Sequence, residues 1–76
     1  RVWEAFASER TLLTDPAPGL VDLGFFPMEH FVPLPGESSE AWARWELPPS
    51  HELERIAHNG HQRFVKFIMG LDTGNP

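Results

Sequence analysis

The sequence predicts a mainly α protein: two short helices and one long C-terminal amphipathic helix, with an ordered, proline-rich irregular segment between them. Three observations predict it. Apolar residues recur at alternating spacings of four and three across residues 50–71, the signature of one buried helix face. Seven of the eight prolines fall within residues 16–49, where they rule out sustained helix. That interrupted stretch nevertheless carries Leu20, Val21, Leu23, Phe25, Phe26, Met28, Phe31, Val32 and Leu34, too apolar a set for a solvated linker.

Residues 2–14 place Val2, Phe6 and Leu13, with Trp3 and Leu12, at near-helical spacing around Glu4, Glu9 and Arg10. A short helix is expected, ending before Asp15-Pro16, because the residue preceding proline avoids the α region. Residues 15–36 have proline or glycine every few positions, so any strand there is confined to an edge or a short piece. Three readings stand for this ribbon. It wraps the chain's own helices, part of it lies on another protein, or its aromatics build a small ligand pocket.

Residues 38–47 form the second short helix. Serine at its start caps free N–H groups, Glu40 sits in the first turn, and Pro48-Pro49 stops it. Trp42 and Trp45 share one face at i, i+3. In residues 50–71, Ser50 is the expected N-cap. The stripe is Leu53, Ala57, Gly60, Phe64, Phe67 and Leu71, widened by Ile56 and Ile68. Gly70 and Gly74 supply the C-terminal break. Gly60 lies on the stripe, where glycine costs about 1 kcal/mol relative to alanine. A backbone or an aromatic ring is therefore expected close to it.

Seventy-six residues make one small domain, which buries only about 60% of its unfolded surface. With no cysteine, disulfides, thiolate metal sites and cysteine nucleophiles are excluded. A reducing, cytoplasmic location is the expectation. The chain opens on Arg1 rather than Met and reads as processed or excerpted. Net charge is −5, and Thr11 to Ala43 contain five acids and no Lys or Arg. Nucleic-acid binding needs clustered bases, so no nucleic-acid partner is expected. No apolar run reaches the roughly 18–20 residues of a membrane span, so no membrane partner is expected either.

No Gly-x-Ser-x-Gly elbow or glycine-rich phosphate loop occurs, and the chain is not expected to be an autonomous enzyme; it reads as a non-catalytic subunit at most. Glu54, His58 and His61 fall at i, i+4, i+7, one carboxylate and two imidazoles on a single helix face. That is suitable chemistry for a divalent metal, with His30 a further donor. The face lies opposite the apolar stripe, and it lacks the His-Glu-x-x-His pattern. A metal- or small-ligand-binding module is thus the second reading, and polar surface histidines the plainer one.

The first reading is a small acidic accessory protein or minor subunit that binds a larger protein partner, or a second copy of itself. A regulator that masks a basic target shares that logic. Its contact residues are expected to be Phe25, Phe26, Phe31, Trp42 and Trp45, since aromatic side chains dominate interface energetics. Asp22, Glu29, Glu37 and Glu40 would form an acidic rim, which tunes encounter rate and salt dependence more than affinity.

Overall fold

The longest run without a helix breaker becomes the axis on which the rest is laid. The computed structural model describes residues 2–15 and 18–70. In chain order these give α1 (Val2–Ala7), β1 (Leu13–Thr14), α2 (Pro18–Asp22), β2 (Val32–Pro33), α3 (Ser39–Arg44) and α4 (Ser50–Ile68). The protein is mainly helical, and its sheet is one two-residue parallel pair that sets Leu13 against Val32 and Thr14 against Pro33.

α4 buries Ile56, Ala57 and Gly60, and Phe64 and Phe67 pack against the core. The expected close approach at Gly60 is present. A Cβ there would lie 2.8 Å from the His30 carbonyl oxygen and 3.0 Å from the Phe6 ring. Gly70, at φ +73°, ends the helix as expected, while Leu71 and Gly74 lie outside the described residues. Two expectations are corrected. Ser50 is the first helical residue and the cap position is Pro49, which has no side-chain cap. Its carbonyl instead accepts the N–H groups of Glu52 and Leu53, because Pro48-Pro49 delivers the chain already extended. Ile68 is exposed, because twelve residues after buried Ile56 it lies about 120° further round the helix.

The helix expected over residues 2–14 stops at Ala7. Arg10 N–H reaches back to Ala5 O and Glu9 N–H to Phe6 O, with Glu9 left-handed at φ +59°. This is a Schellman closure with glutamate where glycine is usual. The chain then runs extended. Thr11 Oγ1 donates to Leu53 O at 2.8 Å, and the carbonyls of Leu12 and Thr14 accept from Val32 and Leu34.

The ribbon of residues 15–36 is more regular than expected. Pro18 opens α2, and Gly24 at φ +93° closes it. Phe25 N–H donates to Leu20 O and Gly24 N–H to Val21 O, the paired bonds of a second Schellman motif. The apolar contact that accompanies that motif is made by Leu20 and Phe25, both core residues. α3 is shorter than residues 38–47, but its cap is as expected: Ser38 Oγ accepts from Ala41 N–H at 3.1 Å. No residue of α3 is buried.

The core is the cluster Phe6, Leu20, Phe25 and Phe31, flanked by Val2, Leu12, Phe64 and Phe67. Val32, Ile56 and Ala57 are also buried. Phe6 and Phe25 stack with centroids 4.6 Å apart, and Trp3 lies parallel on Phe67 at 5.6 Å. Fully burying one such side chain contributes about 1.5–3 kcal/mol. The α1–α4 contact is therefore mostly aromatic.

Candidate functional site

Phe25 and Phe26 are neighbours with opposite fates. Phe25 is 0% exposed and Phe31 2%, whereas Phe26 is 46% exposed. Phe25 and Phe31 are thus corrected from contact residues to core: the Schellman turn at Gly24 drives Phe25 inward, and Phe31 joins the same cluster. Phe26 remains at the surface, beside Met28 at 44% exposure.

The backbone presenting Phe26 and Met28 is held from three sides. His30 Nδ1 accepts the Phe26 N–H at 2.9 Å. Met28 N–H donates to Phe31 O at 2.7 Å. Arg55, on α4, donates through Nη2 to Met28 O at 3.2 Å, and the same nitrogen donates to Glu52 Oε1 at 2.7 Å. Met28 itself is left-handed, at φ +63°. A non-glycine residue persists there only where its surroundings over-determine it. Because Nδ1 accepts, the neutral His30 ring carries its hydrogen on Nε2. Burial holds this imidazole below its ordinary value, with Glu29 opposing and Arg63 reinforcing the shift.

Trp42 and Trp45 meet edge to face with centroids 5.6 Å apart. The Trp42 indole N–H donates to Gly36 O at 2.8 Å, so its polar end is satisfied while 43% of the residue stays exposed. Trp45 is half-buried. Asp22, Glu29, Glu37 and Glu40 are all exposed.

On the Glu54, His58 and His61 face, both imidazoles meet the segment that closes α1. His58 Nδ1 lies 3.1 Å from Glu9 Oε2, and His61 Nδ1 donates to Phe6 O at 2.9 Å. Both rings receive the C-terminal end of α1, and Glu54 is exposed. Among the described residues, no three His, Cys, Asp or Glu side chains are grouped to hold a metal ion.

One feature escaped the sequence reading. Glu29 and His30 face Asn59, Gln62, Arg63 and Lys66 across an open groove of about 210 Å³. The four α4 residues repeat at i, i+3, i+4, i+7, a polar stripe beside the apolar one, and that periodicity is the signal that marks it. Arg63 Nη2 donates to Leu23 O at 2.9 Å, with its guanidinium 5.8 Å from the Phe25 ring centroid. Gly24 makes room for it, since a Cβ there would overlap the guanidinium.

Comparison with protein-family models, curated proteins and solved structures finds no match to this chain.

Proposed function

We propose that this chain is an accessory protein or minor subunit that binds a larger protein through the Phe26–Met28 turn and the Trp42–Trp45 pair. The observation that carries the reading is the turn. Two large apolar side chains stand nearly half exposed on backbone pinned by His30, Phe31 and Arg55. Fixed anchors bind at a lower ordering cost than mobile ones. Trp42 adds a second exposed ring whose hydrogen-bonding end is already satisfied, so burying its face strands no donor. The exposed acids Asp22, Glu29, Glu37 and Glu40 would steer a basic partner surface.

The test compares proteins from a host-cell extract retained by the immobilised wild-type chain with those retained by Phe26→Ala and Trp42→Ala. Circular dichroism confirms that each variant is folded. A stoichiometric partner whose affinity falls by about 2 kcal/mol, roughly thirtyfold, in each variant is the expected result. Equal retention by all three chains, or no partner and no self-association by light scattering, would sink the reading.

A further inference from the structure

We propose that the groove between Glu29-His30 and α4 is a binding site for a carboxylate, supplied by a small carboxylic acid or by the C-terminus of a peptide. The lining is dominated by hydrogen-bond donors. Arg63 and Lys66 are donor-only groups, and Asn59 and Gln62 each carry an NH₂ beside a carbonyl oxygen. His30 adds to them: its Nδ1 accepts the Phe26 N–H, so the neutral ring has a donor at Nε2. Among the described residues of the lining, Glu29 is the single acceptor-only side chain. Such a concentration of donors is out of character for a chain of net charge −5, and an anionic acceptor is the group that answers it.

Part of the site is assembled in advance. Arg63 is held by Leu23 O and lies over Phe25, so much of its rotamer freedom is lost on folding rather than on binding. Asn59, Gln62 and Lys66 make no side-chain hydrogen bond or ion pair among the described residues. Their bonding capacity is available to a ligand. At about 210 Å³ the groove is smaller than the roughly 300–1,000 Å³ of a site for drug-sized ligands, and it suits a carboxylate with a few atoms behind it. Glu29 sets the selectivity, because its charge repels a phosphate dianion about twice as strongly as a monoanion.

Titration of the ¹⁵N-labelled protein at low ionic strength with four probes tests this. They are acetate, N-acetyl-trialanine with a free C-terminus, the same tripeptide as its C-terminal amide, and inorganic phosphate. The expected result is saturable shifts at the Asn59 and Gln62 side-chain NH₂ groups with the free-acid tripeptide and none with the amide. Lys66→Met, at an exposed position, should weaken binding about fivefold or more through loss of a charge-assisted contact. Tighter binding of the tripeptide than of acetate supports the proposal with a peptide terminus as the source, and equal binding supports it with a small acid. Non-saturating shifts, equal response to the amide, phosphate binding as tight as carboxylate, or indifference to both Lys66→Met and Gln62→Ala would each overturn it.

Discussion

His30 does three jobs within one residue. Its Nδ1 accepts the Phe26 N–H, its carbonyl oxygen lies against Gly60, and its ring edges onto Phe25 at 5.9 Å. A proton on Nδ1 would set two donors against each other and place a cation near Arg63. Burial, the largest cause, depresses the imidazole's proton affinity in the folded state. The unfolded chain therefore binds that proton more readily, and stability rises with pH across the window. The contribution is whole above about pH 6.5, the unperturbed value, and is lost as pH falls below it towards the depressed folded value. His30→Asn keeps a δ-position acceptor and removes the titration. Its urea midpoint should thus fall less than that of the wild type between about pH 7.5 and pH 5; an equal fall in both chains would assign the effect to other groups.

At the scale of elements, α4 was legible and its neighbours only partly so. The four-and-three spacing identifies the buried face, and a glycine on that face identifies a crowded contact. Gly60→Ala gains helix propensity of about 1 kcal/mol, but its methyl group meets a backbone carbonyl that cannot swing aside. Overpacking of this kind costs about 1–3 kcal/mol, and net destabilisation is expected, read as a lower thermal midpoint. A raised midpoint would show that the α1–α4 contact yields easily. α2 was missed although its ending is written in the sequence. Gly24 follows Leu20 by four residues and precedes Phe25, the spacing at which a Schellman turn brings its two apolar partners together. The close of α1 had no such mark, because Glu9 takes the left-handed position usually given to glycine. The two-residue strands carry no periodicity of their own. The residue two positions before β1, Thr11, is tied to α4 by a tertiary bond to Leu53 O, which no local pattern encodes.

For the molecule as a whole, the question is how much apolar surface one long helix and its short companions can cover. They cover one end of the set: Phe6, Phe25 and Phe31 are sealed, whereas Trp3, Phe26, Met28, Trp42 and Leu47 are not. Hydrophobic period does not say which of Phe25 and Phe26 turns inward; the turn at Gly24 alone does. This is why the sequence placed both in one contact set. α3 buries nothing and so belongs to the least stable part of the fold. The Trp42 and Trp45 amides should exchange with solvent at least about tenfold faster than those of residues 56–60, measured by hydrogen–deuterium exchange; matching protection would mean that α3 opens only with the whole molecule. A protein with so many bare rings also courts fibril formation, and the parallel pair closes one route to it. The N–H groups of Val32 and Leu34 point to β1, so alternation turns positions 33 and 35 towards the open side. Both are proline. An incoming strand from another copy finds no donor at either place, so the outer edge of β2 offers only carbonyls to a neighbour and makes a poor template for a growing sheet.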